Sequence, residues 1–232
     1  MGTSTKKIIS RWWPIGIILA VWLVFAYPYW GVGLVPFPSK YLVTFFAPWS
    51  NVYGMPVKNN AMPDVITQVF PWKHVTTATW KQGELPLWNP YSFSGTSHVG
   101  NYQSAVFSPI NALFFVLPEI HAWSIMILLQ PMLAGFFMFL FLRSLNVSKP
   151  GSILGSLAYM FCGFLVVWMA YGTLGYAVLY LPLILYGIQT KRYALTTAGV
   201  AFSFLSGHFQ MSLYVLLYAL VYAVYRREWQ SL

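Results

Sequence analysis

Apolar residues in this chain gather into long runs, most of them closed by basic or aromatic residues, and one polar-aromatic stretch separates the first run from the others. The runs predict helices over Trp12 to Trp30, Ile120 to Leu142, Gly151 to Ala170, Leu174 to Gln189, Tyr193 to Leu205 and Met211 to Tyr225. Several approach or exceed the ~20 residues that cross a hydrocarbon core of ~30 Å. The fifth is short. It either begins earlier, near Ile188, or forms with the sixth a bent hairpin that dips in from one side. Pro131 and Pro182 fall inside the second and fourth runs, where a proline kinks a helix and frees a carbonyl for a neighbour. Gly151, Gly155 and Ala158 in the third predict close helix packing.

From Gly31 to Pro118 the pattern changes. Gly31 to Ala61 is rich in Trp, Phe, Pro and Gly without periodicity, which predicts irregular chain on a membrane surface. At Asp64 a helical period starts: Val65, Val69, Trp72 and Thr76 share one side, and Gly83 supplies a stop. Pro71 is expected to divide this helix into two short pieces. Leu85 to Tyr91 reads as a proline-pinned loop and Ser94-Gly95-Thr96 as a turn. Tyr102 to Leu117 reads as a second surface helix, interrupted at Pro109.

Composition turns these runs into membrane spans. The chain is 58% hydrophobic and 7% charged, with mean hydropathy +0.62, whereas roughly a quarter of a soluble domain is charged. The net charge of +9 does not point to nucleic acid, because the basic residues sit in pairs at the ends of apolar runs. Their distribution predicts orientation instead. Nine (Lys6, Lys7, Arg11, Arg143, Lys149, Lys191, Arg192, Arg226 and Arg227) fall on one side, and four (Lys40, Lys58, Lys73 and Lys81) in the long loop. The N-terminus is therefore expected in the cytoplasm and the loop outside. The first run has no small-residue cleavage site and ends in Tyr27-Pro28-Tyr29-Trp30, so it reads as an uncleaved anchor. The Asn146-Val147-Ser148 sequon falls on the cytoplasmic side and reads as chance. The one cysteine, Cys162, excludes an intrachain disulfide.

Candidate chemistry concentrates in the outer loop. Asp64 is the only aspartate of the chain. Following Pro63 and preceding an apolar helix, it reads either as an N-cap or as a carboxylate able to take a proton from an incoming hydroxyl. Gln68, one turn on, is expected on the same side. Trp88 and Tyr91 offer flat faces for sugar rings, and Asn89, His98, Asn101 and Gln103 are hydrogen-bonding groups that suit sugars or phosphates; each serves equally to fasten a loop. His208 and Gln210 are polar groups at the outer end of an apolar hairpin, where unpaired polarity is costly. His74 and His121 read as interface residues. No acidic pair, His-x-x-x-His or phosphate-cradling glycine loop occurs, so neither a metal nor a nucleotide is expected.

Three motifs together resemble the first outer loop of YfhO-type bacterial membrane proteins. They are Asp64-x-x-x-Gln68-x-x-Pro71, Leu85-Pro86-Leu87-Trp88-Asn89-Pro90-Tyr91-x-Phe93-x-Gly95, and Gln103-x-x-x-Phe107-x-Pro109-x-Asn111. The resemblance continues through Leu140-x-Leu142-Arg143-x-Leu145, Gly155-x-Leu157-Ala158-Tyr159-x-Phe161-x-Gly163-Phe164 and Ser206-Gly207-His208-x-Gln210, and covers most of the chain after residue 60. That family belongs with the GT-C membrane glycosyltransferases. The resemblance implies an all-α polytopic membrane protein: a GT-C-like helical bundle of about six spans, with a long extracytoplasmic first loop carrying interfacial helices. The expected plan is one membrane domain over 1–232: a cytoplasmic tail (1–11), span one (12–30), the outer loop (31–118) and spans two to six (119–232). Because YfhO-type proteins are several times longer, the chain is expected to be the N-terminal portion of such an enzyme.

The implied reaction is metal-independent transfer of a sugar from a polyprenyl-phosphate donor to a cell-envelope glycan or lipid acceptor, outside the bacterial cytoplasmic membrane. Asp64 would be the general base. Gln68, Lys73, Trp88, Asn89, Tyr91, His98, Gln103, His208 and Gln210 would bind substrate. Lys73, Lys81, His98 and His208 are the groups available to the departing phosphate. The alternatives are a non-enzymatic transporter or scaffold subunit, or an inactive truncated fragment. Ion-coupled transport is disfavoured because the spans hold essentially no ionisable residue.

Overall fold

The computed structural model describes residues 3–57 and 62–227, with the backbone alone for residues 3–12. Lys58 and the first two residues of the basic tail lie outside the described residues, as do the side chains of Lys6, Lys7 and Arg11. Helix dominates throughout. The N-terminal part comprises α1 (Thr3–Phe25), α2 (Tyr27–Trp30), α3 (Lys40–Phe45) and α4 (Ala47–Tyr53). The chain continues with α5 (Phe70–Lys81), the two-residue strands β1 (Trp88–Asn89) and β2 (Thr96–Ser97), and α6 (Leu113–Val116). The remainder is α7 (Glu119–Ser144), α8 (Lys149–Met160), α9 (Gly163–Trp168), α10 (Leu174–Leu179), α11 (Leu181–Gln189), α12 (Tyr193–Leu205) and α13 (Phe209–Arg226).

Among the described residues three helical stretches are long and apolar enough to cross a membrane: Glu119–Ser144 with 26 residues, Lys149–Tyr171 with 23, and Phe209–Arg226 with 18. At 1.5 Å per residue they reach about 39, 34 and 27 Å, against a core of ~30 Å. The chain is thus all-α with three candidate membrane-crossing helices. Trp13–Phe25, Leu174–Gln189 and Tyr193–Leu205 are shorter apolar stretches. The fifth run does not begin near Ile188: α11 ends at Gln189, Lys191 takes a left-handed φ of 58°, and α12 starts afresh at Tyr193.

Several local expectations are corrected. Gly31 to Ala61 is not irregular throughout, because α3 and α4 form there, α4 with a proline in its first turn. Tyr102 to Leu117 is not one interrupted helix. It is two 3₁₀ turns, Tyr102–Ser104 and Pro109–Ala112, followed by the single turn of α6. Ala105 adopts a left-handed φ of 51° between them and breaks the period. The hairpin pairing Trp88 with Ser97 and Asn89 with Thr96 was not anticipated. The third run is interrupted where Cys162 turns extended, at ψ 152°.

The bundle forms around α7, which packs on α1, α8, α10 and α11. Trp123, Met126, Phe114, Tyr176 and Leu179 are buried at its centre, with Val65 and Val69 of the turn before α5 against them. Both prolines act as the sequence predicts. Pro131 cannot bond the Ile127 carbonyl, and the Gln130 amide approaches that oxygen at 3.4 Å. Its neighbours are also claimed: Tyr176 donates to the Met126 carbonyl (2.7 Å) and the Trp22 indole to that of Leu128 (2.7 Å). Pro182 likewise frees the Val178 carbonyl, and the Tyr159 hydroxyl takes it at 2.8 Å. These bonds across helices satisfy backbone that lipid could not. Gly155 lets α8 approach α7: a Cβ there would meet Leu142 at 2.5 Å. The sequon serine caps α8, accepting from the Gly151 N–H at 3.2 Å.

Candidate functional site

Asp64 sits at the start of a π-helical turn, Val65–Val69, which runs without a break into α5. Pro71 lies in the first turn of α5 and has no N–H to give, and the preceding turn widens so that the Phe70 N–H bonds the Val65 carbonyl. The helix is thereby not split. Val65, Ile66 and Val69 are buried, while Asp64, Thr67 and Gln68 face outward.

The cap reading of Asp64 fails. Its φ of −59° and ψ of −27° are helical, and its side chain bonds no helix N–H. One carboxylate oxygen, Oδ1, instead accepts from the Gln68 amide at 3.1 Å. Among the described residues Oδ2 has no hydrogen-bond partner, and the side chain is exposed. The π turn packs on the turn Met169–Tyr171, and the Asp64 carboxylate and Tyr41 lie within electrostatic reach of the Tyr171 hydroxyl. The Tyr41 hydroxyl in turn accepts from the Met62 N–H at 3.0 Å. Neither tyrosine stood out in the sequence.

Lys73 is not the phosphate-facing cation that was expected. It is 2% exposed, and its Nζ donates to Asn111 Oδ1 at 2.6 Å. Asn111 is fixed from its other end, with Nδ2 donating to the carbonyls of Ala105 (2.9 Å) and Val106 (3.0 Å). Burial lowers the lysine from its ordinary 10.5 to about 7. His98 belongs to the same buried group, with Nε2 against Thr76 Oγ1 at 2.8 Å. Its pKa is lowered, first by burial and then by the Lys73 charge, with the Trp72 carbonyl opposing. His98 Nδ1 is buried without a hydrogen-bond partner. Both residues therefore clamp the 98–111 loop onto α5 rather than face a substrate. The inward position of Lys73 was readable, because it continues the i, i+4 stripe of Val65 and Val69. Asn111 carried no such signal.

Asn89 is also structural. Its Oδ1 accepts from the Tyr91 N–H at 2.9 Å and its Nδ2 reaches Ser92 Oγ at 3.3 Å, closing an Asx turn. Trp88 and Tyr91 are free of that duty and are 58% and 84% exposed. The Trp88 ring lies over Gly95, where a Cβ would meet it at 2.4 Å. Together with the C-terminal half of α5 these aromatics wall a cleft of about 380 Å³. Gln103 is exposed on its 3₁₀ turn.

His208 is half-buried and caps α13, its Nδ1 accepting from the Met211 N–H at 3.3 Å. Burial lowers its pKa, so it stays a neutral acceptor there. The exposed Gln210 donates to the Tyr214 hydroxyl at 2.7 Å. Gly207 sits against Ala105 and the Tyr102 carbonyl, Tyr102 donates to the Phe204 carbonyl, and the rings of Tyr102 and Phe209 meet at 5.9 Å. An apolar cavity of about 420 Å³ lies at this junction. The structure thus joins His208 to the 102–107 loop. No hydrogen bond or ion pair among the described residues links His208 or Gln210 to Asp64. Of the expected set, Gln68 bonds the Asp64 carboxylate, Asn89 bonds the Tyr91 N–H, Lys73 and His98 share one buried group, and Trp88 and Tyr91 share a cleft.

No family model, curated protein or solved structure matches the chain.

Proposed function

We propose that this chain carries the acceptor-activating part of a membrane glycosyltransferase of GT-C type, as its resemblance to YfhO-type proteins implies. In this reading it passes the membrane about six times, with the N-terminus cytoplasmic and the outer segment extracytoplasmic. The donor is a polyprenyl-phosphate sugar and the acceptor a cell-envelope glycan or lipid.

The observation that carries the reading is the Asp64 carboxylate, exposed, oriented through one oxygen by Gln68 and open at the other. Such a group can accept a proton from an acceptor hydroxyl as its oxygen attacks the anomeric carbon. The bond from that carbon to the phosphate oxygen breaks, and polyprenyl phosphate leaves with the electron pair. The Lys73 and His98 side chains are occupied elsewhere, so the leaving phosphate falls to exposed cations: Lys81, expected from sequence, and Lys40, one residue before Tyr41. A second reading, a non-enzymatic scaffold, draws on the fact that Asp64 lines neither of the two cavities described above.

The test is sugar transfer by the chain reconstituted in liposomes with a panel of polyprenyl-phosphate sugars and cell-envelope acceptors. Transfer by the wild type that is lost in Asp64→Asn supports the enzyme. Equal product with and without the carboxylate, or no product from any donor, supports the scaffold.

A further inference from the structure

The cleft between α5 and the proline-pinned loop has a chemistry that the Asp64 reading leaves unused. Its floor is the α5 face around Thr79, and its walls carry the rings of Trp88 and Tyr91. Glu84, Gln82 and His74 supply polar groups. Among the described residues neither the Glu84 carboxylate nor the Gln82 amide has a hydrogen-bond partner, and both are exposed. His74 uses Nδ1 on the Glu119 carboxylate at 2.9 Å. With Nδ1 donating to that carboxylate, Nε2 is the ring nitrogen left over.

The cleft therefore offers flat aromatic faces beside a carboxylate, an amide and an imidazole. Acceptors take the hydroxyl protons of a polyol, and ring faces take the apolar C–H side of a pyranose. A phosphate or uronate would meet Glu84 as a like charge. The site also lies well away from the proposed base. From Asp64 to Ala78 the helix climbs about 20 Å, at 1.5 Å per residue.

We infer that this cleft is a second subsite for a neutral saccharide chain, holding an acceptor several sugar units away from the unit that reacts at Asp64. Its role as acceptor subsite rests on the glycosyltransferase reading; its binding of saccharide does not. It deepens that reading by assigning a neutral polymeric glycan as acceptor rather than a small lipid.

The experiment is isothermal titration of the whole chain in detergent, without donor. Maltotetraose and chitotetraose are the neutral probes and tetragalacturonate the acidic one. Saturable binding of a neutral probe is expected, weakened about tenfold or more by Glu84→Ala and by Tyr91→Ala. Asp64→Asn should bind as the wild type does. Both cleft residues are exposed, so unchanged melting temperatures will show that the variants fold. The inference is overturned if neither neutral probe binds, if tetragalacturonate binds as tightly, or if the two cleft variants bind like wild type. Binding without any sugar transfer would leave the cleft standing and remove the enzyme reading; transfer without binding would do the reverse.

Discussion

Replacing Lys73 by methionine should remove a pH dependence of stability that the lysine's burial builds into the fold. The lysine is buried against Asn111 and its pKa falls from 10.5 to about 7 on folding. Between those values the unfolded chain binds a proton that the folded chain does not, so stability rises with pH from about 7 to about 10.5. At 1.36 kcal/mol per unit the full span is worth about 5 kcal/mol, and the interval from pH 7.5 to 9 about 2 kcal/mol. For a chain of this size that interval corresponds to roughly 4–8 °C in melting temperature. Lys73→Met keeps the length of the side chain and deletes the charge. It leaves Asn111 Oδ1 without its donor, which costs about 1–3 kcal/mol. The variant should therefore melt above the wild type near pH 7, where the buried charge costs most, and lose that advantage towards pH 10. The assay is tryptophan fluorescence melting of both proteins in the same detergent, with the difference between them read from pH 7.5 to 9. Parallel curves across that interval would refute the buried, deprotonating lysine.

Two further predictions test the packing. A Cβ at Gly175 would lie 2.1 Å from Gln130 Oε1, and Gln130 is held by its 2.8 Å bond to the Met169 carbonyl. Gly175→Ala should cost about 1–3 kcal/mol, and a Gln130→Ala background should abolish most of that cost in a double-mutant cycle. Ser148→Ala should lower stability by about 1 kcal/mol through loss of the α8 cap, while Asn146→Gln should change the mass of the cell-expressed protein only by the added methylene and leave its gel mobility unchanged.

The bundle was largely legible because its signals are local. Long apolar runs, basic ends and the two prolines mark helices and their freed carbonyls without knowledge of what lies across the interface. The segment between α1 and α7 was less so, because its order comes from contacts distant in sequence. Lys73 continues the stripe of Val65 and Val69, but nothing in the sequence names Asn111, 38 residues on, as the group that takes its ammonium. His98 reads as a surface histidine until Thr76 and the loop close over it. The 98–111 chain turns on Ala105 at positive φ, a conformation that alanine does not announce. Gln68 beside Asp64 was foreseen from spacing alone, since residues four apart share a helix face. Tyr171 comes within electrostatic reach of that carboxylate, and Tyr41 within reach of Tyr171, from other elements, so only the fold brings them together.

The most direct test of Asp64 as the base separates binding from turnover on one sample. Donor affinity and the rate of sugar transfer would be measured for wild type and Asp64→Asn in the same liposomes. An amide of nearly equal shape keeps the surroundings but cannot take the proton. Transfer should fall at least about 100-fold while donor affinity stays within a factor of about two. Transfer by Asp64→Asn at the wild-type rate would contradict the account.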